Sequence, residues 1–392
     1  MNFYKLIWPI INAIAPETAH KLGALYLKLP LPRFKSIKSV PIDGFTWKGL
    51  TFKNRVGIAA GLDKNGYLLD GMVRIGAGFA EIGTVLTEPW PGNPQRPRLA
   101  RLGESQAVWN RMGFPSKGLE VVKGNLRSFA ERKHSEKLAI GANIGPHPGH
   151  LSAASDISEW LHIARTELEV LVRELHPFAD FFVVNFSSPN TKGLRSLLTN
   201  AGLSTELFTP LRQVVNELDK RANHKHQTAI LIKLPPENSN RQPWSKAELK
   251  EILDPLFKSH ACDGVVAVNT SSNLALKMVK HASDEQPGGI SGAPLRNVAL
   301  EMVSHLRNIL GGRALIVGVG GIIEPQHAKD FLEAGADLVE IYTGLVYYGP
   351  GLIKKTIEFL RAPKPVNLPK QLGPGESELG PEYALGGTHS AV

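Results

Sequence analysis

The sequence predicts one (β/α)8 barrel, the TIM-barrel fold of the α/β class, with two amphipathic helices before it and a disordered tail after it. Eight short apolar runs rich in β-branched residues alternate with helical segments, which is typical of a parallel α/β architecture. The length of 392 residues suits one barrel-sized domain with additions. We therefore divide the chain into helices at 1–38, the barrel at 39–362 and a tail at 363–392.

The N-terminal segment has apolar residues at helical spacing on both sides of Pro16. These positions are Phe3, Leu6, Ile7, Ile10, Ile11 and Ile14, then Leu22, Leu25, Tyr26 and Leu29. Neither helix reaches the ~20 apolar residues of a membrane span. Six basic residues against one acidic residue in 1–40 supply a net +5 of the chain's +9, which favours an anionic surface, either lipid headgroups or nucleic acid. Helices packed on the protein's own body would show the same apolar pattern.

The barrel strands are predicted where the β-branched runs occur. They are Val56–Ala60, Ala80–Val85, Ala139–Asn143, Phe181–Asn185, Ala229–Lys233, Gly264–Asn269, Ala314–Gly318 and Leu338–Tyr342. The helices predicted between them include Gly118–His134, Ile157–Leu175, Leu203–Ala222, Lys246–Ser259, Arg296–Leu310 and Pro325–Ala334.

Two loops and the C-terminus complete the architecture. Residues 40–53 predict a hairpin that closes one end of the barrel. The long segment 86–117 is expected to cover the other end, because loops beyond about 15 residues are usually functional. Five prolines and five glycines among the last 30 residues predict the disordered tail.

Every predicted strand is followed by a polar or glycine residue. The exits carry Lys64, Thr84, Asn143, Asn185, Lys233, Asn269, Gly320-Gly321 and Tyr342-Thr343. In such barrels the catalytic mouth is built from these junctions. The sequence therefore predicts a single site at the carboxyl ends of the strands.

The chemistry of these exits suggests the ligands. Asn185 and Asn190 suit a flat imide or amide ligand, and Ser188 is the nearby group able to move a proton. The glycines after strands seven and eight indicate a phosphate, although a tight turn would look similar. Lys64 and Lys233 are suited to a Schiff base, an anionic substrate or the charge of a reduced flavin.

Other sites are limited by composition. The single cysteine, Cys262, excludes a disulfide framework, or a Cys-ligated zinc or iron–sulfur cluster, built from this chain alone. His147-Pro148-Gly149-His150 is the arrangement most like a metal pair, but its proline and glycine predict no one-face helical geometry and no carboxylate follows at ligand spacing. We therefore predict no metal.

From Asn2 to Arg361 the motifs resemble those of dihydroorotate dehydrogenase in its class 2, which is membrane-associated and quinone-dependent. The resemblance rests on Ala60-Gly61-Leu62-Asp63-Lys64, Glu81-Ile82-Gly83-Thr84, Asn110-Arg111-Met112-Gly113-Phe114, Asn143-Ile144-Gly145, Asn185-Phe186-Ser187-Ser188-Pro189-Asn190, Ile232-Lys233, Asn269-Thr270, Gly288-Gly289-Ile290-Ser291-Gly292 and Gly318-Val319-Gly320-Gly321-Ile322.

The resemblance implies one FMN per chain and the roles of individual residues. Ser188 would be the base that removes the C5 proton of dihydroorotate while hydride leaves C6 for N5 of FMN, with Thr191 in a proton relay. Substrate contacts would come from Lys64, Asn110, Arg111, Met112, Gly113, Phe114, Asn185, Asn190, Asn269 and Thr270. FMN contacts would come from Ala60, Gly61, Leu62, Asp63, Lys64, Thr84, Asn143, Asn185, Lys233, Val268, Gly292, Gly321, Tyr342 and Thr343.

Two positions depart from the family pattern. Val268 stands where the family often has threonine, so that only its backbone can contact FMN. Thr343 stands where serine is common, and it keeps the hydroxyl.

The class implies the partners and the location. Class 1 relatives use cysteine as the base, and one subclass adds an iron–sulfur subunit. Serine at 188 and the N-terminal helices instead favour a membrane quinone, an anionic lipid surface, no nucleic acid, no iron–sulfur subunit and a monomer. The expected location is the cytoplasmic face of a bacterial inner membrane, with a processed mitochondrial form as the alternative. A Schiff-base aldolase using Lys233 or Lys64 and an RNA-binding protein with a basic arm are the rival functions.

Overall fold

The structure is a computed structural model that describes residues 3–29, 44–132, 137–187, 201–223, 227–284 and 287–361. The predicted tail, 363–392, lies outside the described residues, as do Ser188, Asn190 and Thr191.

The described chain alternates strands and helices after an N-terminal helical pair. The strands are β1 (Phe45–Trp47), β2 (Leu50–Phe52), β3 (Val56–Ile58), β4 (Phe79–Val85), β5 (Leu99–Leu102), β6 (Ala107–Asn110), β7 (Ala139–Ile144), β8 (Phe181–Asn185), β9 (Ala229–Leu234), β10 (Gly264–Ala267), β11 (Gly289–Gly292), β12 (Leu315–Val319) and β13 (Leu338–Ile341). The helices are α1 (Phe3–Ala13), α2 (Pro16–Lys28), α3 (Leu69–Ile75), α4 (Leu119–Glu131), α5 (Pro148–Ala153), α6 (Ile157–Leu175), α7 (Ala201–Ala222), α8 (Lys246–Lys258), α9 (Ser272–Met278), α10 (Arg296–Leu310), α11 (Pro325–Glu333), α12 (Thr343–Tyr348) and α13 (Gly351–Arg361).

Eight of these strands form a closed parallel barrel in the order β3, β4, β7, β8, β9, β10, β12 and β13, which pairs back to β3. The predicted barrel is confirmed, and each predicted strand end lies within two residues of the observed one. The short helices α3, α5, α9 and α12 were not predicted, because six or seven residues are too few to show helical periodicity.

The amino-terminal end of the barrel is filled by aromatic rings. Phe79 and Phe181 start β4 and β8, point inward and pack edge-to-face with Phe52 of the β1–β2 hairpin, at ring-centroid distances of 5.5 and 6.0 Å. A Cβ on Gly57 would lie 2.4 Å from the ring of Phe79, so glycine there makes room for the ring. The predicted closure by a hairpin is confirmed in its described part, 44–53.

Two arginines hold the N-terminal helices on the barrel. Arg74 of α3 donates hydrogen bonds to the carbonyl oxygens of Tyr26, Leu27 and Leu29 at the end of α2. Arg101 of β5 donates hydrogen bonds to the carbonyl oxygens of Ile11 and Asn12 in the last turn of α1, and to that of Ile14, which follows the helix. The last carbonyls of a helix lack partners within the helix, and a guanidinium satisfies several of them at once.

The opposite face of this helical pair stays apolar and exposed. Leu6, Ile10 and Leu25 expose 57, 65 and 53 % of their surface. Contiguous apolar surface of this kind marks an interaction site. Among the described helices, none is long and apolar enough to cross a membrane.

The segment that was expected to cover the mouth contains its own small sheet. Strands β5 and β6 pair antiparallel, and β6 also pairs with β11 from the segment after β10. This sheet was not predicted, because its strands have four residues each and β11 comes from a distant part of the sequence.

We expect Arg74→Ala to release α2 from the barrel. Three charge-assisted hydrogen bonds to buried or half-buried carbonyls would be lost, so the free energy of unfolding should fall by about 2–3 kcal/mol. Limited proteolysis should also cut residues 1–29 severalfold faster. The matched control is Arg132→Ala, because Arg132 pairs with Asp70 at 2.9 Å while both side chains are about half exposed, and it should cost less than about 1 kcal/mol. Equal effects of the two substitutions would contradict this role of Arg74.

Candidate active site

A cavity of about 930 Å³ runs from the carboxyl ends of the barrel strands to the N-terminal helices. At the barrel end it is lined by fifteen of the predicted site residues: Ala60, Gly61, Leu62, Lys64, Thr84, Asn110, Met112, Gly113, Phe114, Asn185, Lys233, Asn269, Thr270, Tyr342 and Thr343. At the other end it is lined by side chains of α1 and α2, including Ile7, Ile11, Ile14 and Leu22. One cavity therefore joins a polar barrel mouth to an apolar channel.

The floor of the barrel end is a network of hydrogen-bonded polar side chains. Thr84 donates to Asn143 Oδ1 at 2.5 Å, and Asn185 Nδ2 donates to both Thr84 Oγ1 and Asn143 Oδ1 at 3.2 Å. Asn143 Nδ2 donates in turn to Glu81. These residues end neighbouring parallel strands, which is why residues distant in sequence meet here.

A second chain of contacts crosses the mouth from β8 to the end of β10. The Ser187 hydroxyl donates to Asn185 Oδ1 at 2.9 Å and accepts from Asn269 Nδ2 at 2.8 Å. Asn269 Oδ1 accepts from the Thr270 N–H at 2.8 Å. The side-chain orientations of Asn185 and Asn269 are fixed by these bonds before any ligand arrives.

The two lysines at the strand exits have different electrostatic settings. Lys64 Nζ donates to the Gly61 carbonyl at 2.6 Å, and burial lowers the pKa of Lys64 to about 8. Lys233 Nζ pairs with Glu81 Oε1 at 3.0 Å. Burial alone would lower the pKa of Lys233, but the carboxyl groups of Glu81 and Glu340 raise it overall. A permanently protonated Lys233 is a poor Schiff-base nucleophile.

The turn after β12 presents backbone N–H groups suited to an anion. Gly320 and Gly321 have φ of +140° and +71°, and a Cβ on Gly321 would lie 2.6 Å from Arg296 Cβ and 2.9 Å from the Gly292 carbonyl. Both glycines are buried, and their N–H groups have no hydrogen-bond acceptor within the described parts of the chain. Buried N–H groups are almost always paired, so the turn fits a phosphate group.

Six predicted site residues do not line the cavity: Asp63, Arg111, Asn143, Val268, Gly292 and Gly321. The Asp63 carboxylate accepts from the N–H groups of residues 65, 67 and 68 and so shapes the loop after β3. Arg111 donates to the Pro97 carbonyl and to Gln95. The Val268 N–H donates to Val319 O at 2.8 Å and its side chain is buried in the core, which leaves its carbonyl as the polar group for a ligand.

The covering segment is tied down around Gly113. Trp90 Nε1 donates to the Gly113 carbonyl at 2.9 Å, and Asn93 Nδ2 donates to the Arg111 carbonyl at 3.0 Å. A Cβ on Gly113 would lie 2.4 Å from Asn93 Oδ1. These contacts hold Met112 and Phe114 against the cavity.

The histidine pair and the cysteine lie away from this chemistry. A short helix, α5, begins at Pro148, a favourable first helical position, so that His147 is its N-cap residue and only His150 lies within the helix. His150 Nδ1 contacts Glu167 Oε1 at 2.5 Å, and no group of three or more His, Cys, Asp or Glu among the described residues is arranged to hold a metal. Burial raises the pKa of Cys262 to about 12, and the residue precedes β10 at the closed end of the barrel.

Three polar residues of the site carried no predicted role: Glu81, Ser187 and Glu340. Strand alternation would have located the two glutamates, because Glu81 and Glu340 lie two residues after the inward-facing Phe79 and Leu338. For Ser187 no such signal exists, because its contact with Asn269 joins residues 82 positions apart.

Comparison with known proteins agrees with this geometry. A family model described as dihydroorotate dehydrogenase matches residues 45–362. A protein of Albidiferax ferrireducens named dihydroorotate dehydrogenase (quinone) is 37% identical over 373 residues, covering 91% of this chain and 98% of its own. One of the same name from Polaromonas naphthalenivorans is 37% identical over 364 residues, with the same coverage of 91% and 98%.

A solved structure extends the similarity to three dimensions. The crystal structure of DHODH from Eimeria tenella in complex with ferulenol superposes with a TM-score of 0.76 at 29% identity, covering 88% of this chain and 90% of that one. The chain belongs to the dihydroorotate dehydrogenase family, and the quinone-dependent class predicted from its motifs is confirmed.

Proposed function

We propose that the protein uses FMN to oxidise (S)-dihydroorotate to orotate and passes the electrons to a membrane quinone, the fourth step of de novo pyrimidine (UMP) biosynthesis. The observation that carries this proposal is the single cavity of about 930 Å³, polar at the barrel mouth and apolar between α1 and α2. A polar substrate and an apolar electron acceptor can thus reach one cofactor from different ends.

The barrel mouth fits FMN. The buried N–H groups of Gly320 and Gly321, next to the cavity lining, would hold its phosphate near Thr343, whose hydroxyl donates to Ser291 Oγ at 2.7 Å in this structure. Ala60, Gly61, Thr84, Lys233 and Tyr342 would line its ring. When bound, FMN supplies a hydride acceptor that can later release electrons to a quinone. Lys233 contributes a fixed positive charge at the cavity floor, because its ion pair with Glu81 keeps it protonated.

The substrate would be held by side chains with unused hydrogen-bonding capacity. Asn110 uses one amide hydrogen on Gly289 O at 3.3 Å, and Asn269 uses one on Ser187. Each amide nitrogen carries two hydrogens, so one on each stays available for the dihydroorotate ring. Asn185 donates both of its hydrogens to Thr84 and Asn143, so we assign it to orienting this wall.

Positive charge would attract the substrate carboxylate. A side cavity of about 330 Å³ shares Lys64 with the main one and is also lined by Lys21, Lys117 and the ion pair of Arg98 with Glu17, so that basic residues outnumber acidic ones there. Such a cluster raises the local concentration of anions and speeds their arrival. We assign the carboxylate to Lys64 at the inner end of this route.

Ser188 would remove the C5 proton, and Asn190 and Thr191 would contact the substrate and relay the proton. The support is the resemblance of the motif that follows β8, together with the polar wall of Asn185, Ser187 and Asn269 that β8 brings to the mouth. A hydroxyl is a weak base near neutral pH, which is why a relay through Thr191 is part of the proposal.

We expect Ser188→Ala to lower the rate of FMN reduction by dihydroorotate at least about 10²-fold, because general-base catalysis contributes that much. Stopped-flow bleaching of the flavin measures the step directly. The matched control is the neighbouring Ser187→Ala, which should raise the Kd for dihydroorotate while keeping the bleaching rate at saturation within about tenfold, because Ser187 orients two asparagines of the site. Near-normal bleaching in Ser188→Ala would contradict the assignment.

We expect orotate binding to weaken as pH rises through about 8. The pKa of Lys64 is lowered to about 8 by burial, so the ammonium that attracts the carboxylate is lost above that value, and Kd should increase roughly tenfold per pH unit. Titration of the flavin spectrum with orotate between about pH 6 and 9 measures this Kd. In Lys64→Arg the dependence should disappear, because guanidinium stays protonated. The same slope in both proteins would assign the carboxylate elsewhere.

The apolar channel and the outer face of the helices suit a quinone and a membrane surface. Ile7, Ile11 and Ile14 line the cavity, while Leu6 and Ile10 of the same helix face outward and are exposed. A helix of this kind lies in a lipid interface and is aided by basic residues. We propose peripheral attachment to an anionic membrane, at the cytoplasmic face of a bacterial inner membrane.

We expect deletion of residues 1–29 to spare reduction of FMN by dihydroorotate but to remove reoxidation by a long-chain quinone, because the deletion removes the channel walls. The two half-reactions are measured separately by stopped flow. As a control, Leu6→Ser with Ile10→Ser should weaken binding to anionic vesicles while turnover of a short soluble quinone stays normal. Unchanged long-chain quinone turnover in the truncated protein would refute the channel.

A further inference from the structure

Three charged side chains lie inside the closed barrel, beneath the cavity. Glu81, Glu340 and Lys233 expose 0, 1 and 5 % of their surface. Each follows an inward-facing apolar residue by two positions, namely Phe79, Leu338 and Leu231. They therefore form one layer above the apolar filling of the barrel, and Lys233 is the member of the layer that lines the cavity.

The two carboxyl groups approach each other because the strand between them places only small residues at its inward-facing positions. Strand β3 pairs with β13 on one side and β4 on the other. Its inward positions are Gly57 and Ala59. Glu340 and Glu81 therefore face each other across this strand, close enough for the Glu81 carboxyl group to raise the pKa of Glu340.

Within the described part of the chain, three oxygens of these two carboxyl groups lack a hydrogen-bond donor. Glu81 Oε1 accepts from Lys233 Nζ at 3.0 Å and from Asn143 Nδ2. Glu81 Oε2 and both oxygens of Glu340 are buried with no donor in the described part of the chain. Two facing carboxylates cannot both ionise in such surroundings. A proton on Glu340, donated to Glu81 Oε2, gives partners to two of these three oxygens and removes the charge from the third.

We propose that Glu340 is a positioning residue that stores one proton beneath the cavity, donates it to Glu81, and so keeps the layer of Glu81, Glu340 and Lys233 at zero net charge. Burial and the facing Glu81 carboxylate raise the pKa of Glu340 well above its ordinary value. Among the described residues, the titratable groups that face Glu340 are Glu81 from β4 and Lys233 from β9, while the strands flanking it offer Gly57 and Val319 at its own level.

The proton on Glu340 sets the net charge beneath a bound flavin, and this part of the inference rests on the proposed function. With Glu340 neutral, the charge of Lys233 is balanced once, by Glu81. With Glu340 ionised, the floor would carry a net negative charge and would oppose the phosphate and any negative charge on the ring. Glu340 thus protects the binding of an anionic cofactor.

The proton is testable without turnover. Infrared difference spectra of wild-type and Glu340→Gln holoenzyme at neutral pH should show the carbonyl band of a protonated carboxylic acid in the wild type alone, because the flavin carbonyls cancel. Glu81→Gln should lose the band too, because Glu340 would then ionise opposite Lys233. A wild type without the band, or a Glu81→Gln protein that keeps it, would overturn the shared proton.

Unfolding measures the same proton independently. The folded pKa of Glu340 is raised above its unfolded value, so unfolding releases this proton, and the wild type loses stability relative to Glu340→Gln as pH rises from about 5. The ratio of the two unfolding constants should change about tenfold per pH unit until the folded pKa is passed. The control is Glu358→Gln at a carboxylate that is 52% exposed, which should show no such slope.

The proposal would be overturned if the ratio of the unfolding constants of wild type and Glu340→Gln did not change with pH. Failure of Glu340→Gln to fold would overturn it too, because a neutral isostere that can donate to Glu81 should be tolerated. Neither the infrared band nor the unfolding constants depend on dihydroorotate oxidation. The proposal for Glu340 can therefore be refuted while the proposed function stands, and the proposed function can be refuted while the proposal for Glu340 stands.

Discussion

The structure depends on one constraint, which is that every second residue of eight barrel strands must point into a closed interior. At the start of the strands the constraint is met by apolar side chains, among them Phe79, Phe181 and Leu338. Two residues further along, β4, β9 and β13 place Glu81, Lys233 and Glu340 in the same interior. Groups buried there must satisfy one another. The polar floor of the site is therefore as much a part of the packing as the aromatic layer beneath it.

The second requirement is to keep two helices on the barrel without burying both of their faces. Arg74 and Arg101 do this through backbone carbonyls, so that Leu27 is the one apolar side chain buried in the core among the described side chains of α1 and α2. Close backbone approach helps, since a Cβ on Gly71 of α3 would lie 2.3 Å from the Leu27 carbonyl. One apolar face is then free to line the cavity and another to face outward. The helices can form walls of a channel because polar groups hold them in place.

The barrel and much of its mouth were predictable because their signals are local. Thr84, Asn185 and Lys233 lie at the ends of β-branched runs, Lys64 lies in the loop after β3, and strand direction brings them together. Asp63 and Arg111 show the limit of motif reasoning, because they belong to the same motifs yet bond to nearby backbone or to Gln95. The sheet of β5, β6 and β11 was missed because it joins segments about 180 residues apart. Long-range pairing of short strands has no pattern in the linear sequence.

That small sheet gives the two ends of the cavity a shared wall. Its strand β5 carries Arg101, which holds the end of α1, and in the same strand Leu99 pairs with Asn110 on β6. Asn110 faces the polar end of the cavity, and α1 lines the apolar end. Residues of an antiparallel ladder are paired in register. The strand that holds the end of α1 is therefore the strand paired with the one that carries Asn110, so the walls at both ends of the cavity depend on the same short ladder.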